Sequence, residues 1–210
     1  MNYLAHLHLG QIASNDPLLM VGNMMGDFVK GPIPRHYSPV LRQAIGHHRS
    51  IDAYTDAHTL VANSRALFQK PFRRYAGVLV DLCFDHLLCK HWRIYSDRPL
   101  GEFIELSYRL LSKHNHCFPE PLKKNMPRMI AADFLNAYHS LDGLEKVMQR
   151  ISGRMKRPFA LDGAMPQLKE HYALVELHFH SFYPQLMEFA RQALKNGANS
   201  FSDSARKRVE

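Results

Sequence analysis

Residues 77–92 read GVLVDLCFDHLLCKHW. Val78, Leu82, Phe84, Leu87 and Leu88 leave almost no polar side on a helical wheel, so the stretch predicts a helix buried at the centre of a bundle. Within it, Asp81 and Asp85 stand at i and i+4 and share a face with Val78, Leu88 and Trp92. An aspartate is rarely buried unless it is paired or bound to a cation. Two neighbouring carboxylates also repel, and each raises the pKa of the other. Two readings follow: a divalent cation joins the pair, or one Asp meets a buried base or caps another helix. His86 lies about 100° round from Asp85, near the edge of the same surface and within reach of a shared metal.

Outward from this helix, residues 46–56, GHHRSIDAYTD, repeat the pattern. Ile45, His48, Ile51, Asp52 and Thr55 fall in one half of the wheel; Ser50, Ala53 and Ala57 fall in the other. This face is either a solvated edge with stray isoleucines or a polar site set into a packed core. His47 points about 100° away and is expected to be dispensable for such a site. Asp56 extends the face near the helix C-terminus, where the macrodipole disfavours a carboxylate, a mild hint of use. Residues 18–31, LLMVGNMMGDFVKG, are apolar through Val29 except for Asn23 and Asp27, again four apart. Gly22 and Gly26 each cost about 1 kcal/mol against alanine inside a helix, which close approach of a helix or ligand would justify. Asp27 reads equally as a ligand and as a turn-forming residue ahead of Lys30 and Gly31.

Helical spacing recurs along the rest of the chain. Helices are expected over about 2–12, 16–29, 38–57, 60–69, 71–94, 99–112, 121–137, 141–152 and 164–194, with Pro184 a point where the last could break. GPIP at 31–34, DRP at 97–99, FPEP at 118–121 and KRP at 156–158 separate them. Alternating β-branched runs are almost absent. The expectation is one all-α domain over 1–194, followed by a flexible polar tail over 195–210.

The 210 residues are 46% hydrophobic and 22% charged, a soluble globular composition. Cys83, Cys89 and Cys117 form no C-x-x-C pair, and an odd count suits a reducing compartment. The start, MNYLAHLHLG, has no basic leader, and no run of about 18 apolar residues occurs. A cytoplasmic protein is expected. Dinucleotide, P-loop and nucleophile-elbow patterns are absent from the sequence. A net charge of +8 favours an acidic partner. Basic clusters stand at 70–75 (KPFRRY), 121–128 (PLKKNMPR) and 153–158 (GRMKRP), and would form a docking patch if they converge.

His6 and His8 are two apart, so they do not stack on one helix face; each is a site candidate or a partly buried histidine. His91 points away from Asp81 and Asp85 and reads as structural. The aromatics of residues 166–184 read as core. Combined, three apolar helices supply Asp27; His48 and Asp52; and Asp81, Asp85 and His86. A bundle that turns these faces inward builds a His/Asp site. That donor mix suits Mn, Fe, Zn or Mg, and such a site in a basic protein suits phosphoester hydrolysis.

At five stretches the chain resembles a known family. MNYLAHLHL, GNMMGDFVKG, HRSIDAYTD, DLCFDHLLCKHW and HYALVELHFHSFYP, in this order from residue 1 to about 194, resemble the acyl carrier protein phosphodiesterases, a divergent branch of the HD phosphohydrolases. The resemblance implies an HD-like helical bundle with a metal site in its core. It implies Mn²⁺, with Mg²⁺ or another divalent cation as substitute. The implied reaction cleaves the phosphodiester that joins 4′-phosphopantetheine to a serine of holo-acyl carrier protein. The acidic carrier as substrate agrees with a net charge of +8. By motif match, Asp27, His48, Asp81, Asp85 and His86 are the expected metal set. Asp52, Asp85 and His86 are the expected catalytic set, Asp52 orienting His48 or acting as general base. His6, His8, Asn23 and Asp56 are further candidates. The chain has no His-Asp dipeptide; it has Asp85-His86 instead. Two other readings share the sequence: a metal phosphohydrolase of a nucleotide or small phosphoester, and a basic nucleic-acid-binding helical protein. Aromatics committed to the core rather than interleaved with the basic runs weigh against the second.

Overall fold

Two helices that frame the site begin at a side-chain cap. Asp16 accepts the Leu18 N–H and opens α2 (Pro17–Met25), and Ser38 accepts the Leu41 N–H and opens α3 (Pro39–Ala57). Both have proline at the first helical position, where its missing N–H costs nothing. The first helix, α1 (Tyr3–Ala13), has no side-chain cap of its own and takes one from a distant helix, described below. The computed structural model describes the backbone of residues 1–206 and the side chains of residues 1–195. Among the described residues there is no strand. The other helices are α4 (Thr59–Ala66), α5 (Ala76–Lys90), a single turn α6 (Trp92–Tyr95), α7 (Leu100–Lys113), α8 (Glu120–Ala131), α9 (Leu141–Ser152) and α10 (Met165–Arg206). The fold is all-α.

α1 and α5 form the centre. Leu4, Leu7 and Leu9 on α1, and Leu79, Phe84, Leu87 and Leu88 on α5, have no exposed surface. The apolar character of 77–92 therefore has the expected cause, except at Val78, which is exposed on the first turn of α5. α10 lies along α1, α3, α4 and α5 and contributes buried Phe179, Phe182 and Tyr183. α2 and α3 pack closely because Gly22 faces Ala44; a Cβ on Gly22 would lie 2.3 Å from the Ala44 Cβ.

Several expected boundaries move for local reasons. The helix expected over 71–94 is a 3₁₀ turn at Phe72–Tyr75, then α5, then α6, whose Trp92 donates to the Arg98 carbonyl at 2.7 Å. α2 stops at Met25 and passes into a 3₁₀ turn, Gly26–Phe28. α8 stops at Ala131, short of 137. Asp133 adopts φ 46°, and the Tyr108 hydroxyl holds the turn by donating to Asp133 and accepting from the Leu135 N–H. α10 passes Pro184 unbroken, with Gln185 Nε2 donating to the Ser181 carbonyl at 2.7 Å. The same helix enters the segment 195–210 expected as a tail; residues 207–210 lie outside the described residues. Among the described residues, no helix is long and apolar enough to cross a membrane.

Candidate metal centre

Three elements bring donors to one point. α1 supplies His6, the turn after α2 supplies Asp27, and α3 supplies His48 and Asp52. Asp52 reaches both imidazoles: Oδ1 lies 3.0 Å from His6 Nε2, and Oδ2 lies 3.0 Å from His48 Nε2. Asp27 Oδ1 lies 3.6 Å from the same His48 nitrogen. One donor atom from each of His6, His48 and Asp52 falls within 4.8 Å of the others. The two rings stack, 3.9 Å between centroids. Gly26 makes room for this, since a Cβ there would sit 2.1 Å from the His48 ring. Helical periodicity explains His48 and Asp52, which are i and i+4 on one face of α3.

The electrostatics follow from that packing. Burial opposes a charge on His48, but hydrogen bonds to Asp27 and Asp52 overcome it and raise the imidazole to about 9. Burial and the neighbouring His48 charge push His6 down to about 4. Burial acts against ionisation of Asp52 and Asp27. The histidines nevertheless hold Asp52 well below the usual carboxylate range, and His48 lowers Asp27. Both Nδ1 atoms are buried with no hydrogen-bond partner among the described residues, so each ring's polar partners lie on its Nε2 side.

The remaining expected residues have other partners. Asp85 is fully buried and caps α1. Its Oδ2 accepts the Leu4 N–H at 2.8 Å, and Oδ1 accepts those of Asn2 and Ala5 at 3.3 Å each. Burial raises this carboxyl to about 7 against the pull of those amides. Asp81 lies 3.1 Å from the Met1 amine, which also stands 3.9 Å from Asp52; burial raises Asp81 against the pull of that amine. Asp81 thus borders the cluster, whereas Asp85 supports it from beneath α1. His86 turns the other way: Nδ1 is 2.8 Å from the Tyr138 carbonyl and Nε2 is 2.8 Å from the Tyr172 hydroxyl. Neither nitrogen faces the cluster.

His8 bonds the Tyr183 hydroxyl at 2.8 Å and packs edge-on against Trp92 in the core. Asn23 donates to the Leu19 carbonyl and to His47 Nδ1, and His47 Nε2 donates to the Ala190 carbonyl at 2.8 Å. His47 is outside the cluster, as its register predicts, yet it is buried and ties α3 to α10. Asp56 pairs with Arg65 at 2.6 Å on the surface, away from the cluster. His91 pairs with Glu176 at 2.6 Å.

A hollow of about 350 Å³ opens over the cluster, with Asp27, His48 and Asp52 among its lining residues. Lys30 and Arg49 also line it, and sequence reasoning did not select either. Arg49 donates to the Val29 and Gly31 carbonyls at 2.7 Å each and so fixes the loop that follows Asp27. Gly31 adopts φ 70° in that loop. The adjacency of Arg49 to His48 was a signal, but the loop it pins is a tertiary feature.

Two imidazole nitrogens and carboxylate oxygens aimed at one point fit a divalent cation that takes mixed nitrogen and oxygen ligands. The fold and cluster therefore define an all-α protein with a candidate divalent-metal centre beneath a basic-edged hollow. The family model described as Acyl carrier protein phosphodiesterase matches residues 1–186, and the chain belongs to that family. It is 33% identical over 191 residues to the acyl carrier protein phosphodiesterase of Photorhabdus laumondii, covering 90% of this chain and 95% of that one. It is 31% identical over 192 residues to that of Pectobacterium atrosepticum, covering 91% and 98%. It is 33% identical over 196 residues to that of Salmonella paratyphi A, covering 92% and 100%. No solved structure matches the chain.

Proposed function

We propose that this chain hydrolyses the phosphodiester between 4′-phosphopantetheine and the serine of holo-acyl carrier protein. The P–O bond to serine breaks, water supplies the new phosphate oxygen, and the serine oxygen takes up a proton. Products are apo-carrier and 4′-phosphopantetheine. One observation carries the reading: the stretch that matches the family contains every member of the His6, Asp27, His48 and Asp52 cluster. In this reading those four residues hold Mn²⁺, or Mg²⁺ in its place. Such a cation, when bound, supplies Lewis acidity to the phosphoryl oxygens and makes water a better nucleophile.

The protein's own groups do the rest. Asp52 addresses one oxygen to each imidazole and so orients both rings. Asp27, on a turn held by Arg49, closes the set from the hollow side. Lys30 and Arg49 place positive charge where an anionic diester enters. The HD-like character belongs to this reading: a helical bundle holding a His/Asp centre, with ligands drawn from α1, a turn and α3 rather than from one His-Asp pair.

The test is release of 4′-phosphopantetheine from holo-carrier with Mn²⁺, comparing the unaltered chain with Asp52→Asn. A fall of at least about a hundredfold is expected. Equal rates would remove Asp52 from the mechanism, and no release by the unaltered chain would overturn the function.

A further inference from the structure

Two of the three basic clusters converge. Arg128 from the second, Arg154 from the third, and Arg150 near the end of α9 surround a cleft of about 660 Å³ between α8 and α9. All three arginines are exposed. None of the three guanidinium groups makes an ion pair or hydrogen bond among the described residues; Arg128 and Arg154 hydrogen-bond only through the backbone. Tyr3, Met129, Phe134 and Ile151 give the cleft apolar walls. No acidic side chain is among its lining residues. Three unpaired guanidiniums over aromatic and methionine surface match the composition of protein docking sites.

The cleft also lies beside the metal centre. Tyr3 and Asn2 line it, and His6 follows Tyr3 on α1 after about 4.5 Å of rise. Burial pushes the Tyr3 hydroxyl up to about 12, and the charges of both Asp27 and Arg154 act on it, the first raising and the second lowering it. The remaining basic cluster contributes no residue to the cleft: Phe72 and Tyr75 pack on Phe159, just beyond the third cluster, and Arg74 stacks over Tyr75 at 4.7 Å.

We propose that the cleft between α8 and α9 is where the acidic carrier protein docks, its carboxylates pairing with Arg128, Arg150 and Arg154 and an apolar side chain seating between Met129, Phe134 and Ile151. This rests on the proposed function. The choice of occupant comes from charge. The pantetheine arm carries one phosphate, which the reaction places at the metal centre, so the arm brings no anion to match three arginines. A helical partner rich in carboxylates does, and the planar guanidinium fork suits carboxylates in particular.

The test uses the full chain and apo-carrier protein, which lacks the arm, as binding probe. Arg128→Glu/Arg150→Glu/Arg154→Glu is expected to weaken apo-carrier binding at least tenfold and to flatten its dependence on salt. The glutamine triple variant should lie between. Arg73→Glu/Arg74→Glu, at the cluster that does not line the cleft, is expected to change binding less than threefold. Circular dichroism on each variant establishes the fold. Unchanged apo-carrier affinity in the folded triple variant overturns the proposal. So does an equal loss in the Arg73/Arg74 variant, which would mean diffuse charge rather than this cleft. So does loss of 4′-phosphopantetheine binding with apo-carrier binding intact, which would place the arm in the cleft. So does RNA displacing apo-carrier from the arginines with higher affinity. Hydrolysis of holo-carrier by the unaltered chain is measured alongside. If hydrolysis is present and the triple variant binds apo-carrier normally, only the docking site falls; if hydrolysis is absent, the function falls with it.

Discussion

Asp85→Asn separates a cap from a metal ligand. The Asp85 carboxylate receives a short 2.8 Å bond from the Leu4 N–H on one oxygen and two longer 3.3 Å bonds, from Asn2 and Ala5, on the other. An asparagine keeps one acceptor oxygen and turns an amide NH₂ toward the donors it abandons. Either the Leu4 amide or the Asn2 and Ala5 amides are then unpaired, each costing about 1–3 kcal/mol when buried. Loss of negative charge at a helix N-terminus adds about 0.3–1 kcal/mol. Removing a buried charge returns part of this, so the expected net destabilisation is about 2–4 kcal/mol. For a chain of this size that corresponds to about 5–15 °C in Tm. The assay is urea unfolding in excess chelator, which removes any metal contribution, followed by Mn²⁺ titration of the folded variant. A cap predicts lower metal-free stability and a modest loss of Mn²⁺ affinity through movement of His6. A metal-free variant as stable as the parent that no longer binds Mn²⁺ would refute the capping argument and make Asp85 a ligand.

His6→Ala is expected to lower Mn²⁺ affinity by more than about tenfold, whereas His86→Ala, which breaks bonds to Tyr138 and Tyr172, leaves that affinity within about threefold and costs about 1–3 kcal/mol of stability. Calorimetric Mn²⁺ titration of both variants checks this, and the reverse ranking would refute the cluster. Gly22→Ala must push α2 from α3, because its Cβ falls 2.3 Å from that of Ala44; a loss of about 1–3 kcal/mol in urea unfolding is expected, with reduced activity because α3 carries His48 and Asp52. Acid weakens the fold through His8, which burial holds at about 4 against 6.5 in the unfolded chain. The unfolded chain protonates first, so this stability is complete above pH 6.5 and is lost as pH falls towards 4, by up to about 1.4 kcal/mol per pH unit. Unfolding midpoints at pH 7 and pH 5 should differ less in His8→Gln than in the parent; an equal difference would exclude His8 as the cause.

The helices were legible in the sequence because their causes are local. Asp16-Pro17 and Ser38-Pro39 cap and start α2 and α3, and the apolar run of 77–92 has nowhere to lie except the core. His48 and Asp52 were legible as a pair because one helix carries both at i and i+4. The burial cost of Asp85 was legible too, and it left a cation, a buried base or another helix's N-terminus as remedies. Nothing local chooses between them. The tertiary structure does, by setting the start of α1 against α5, so that Asp85 meets three free amide groups 80 or more residues away in sequence. The same placement brings His6, spaced wrongly to pair with His8 on a helix, onto Asp52 across 46 residues. It also turns His86 to Tyr138 and Tyr172. Local sequence determined which residues would need a polar partner. Which partner each one met was decided by how α1, α3 and α5 pack, since contacts between helices depend on side chains distant in the chain.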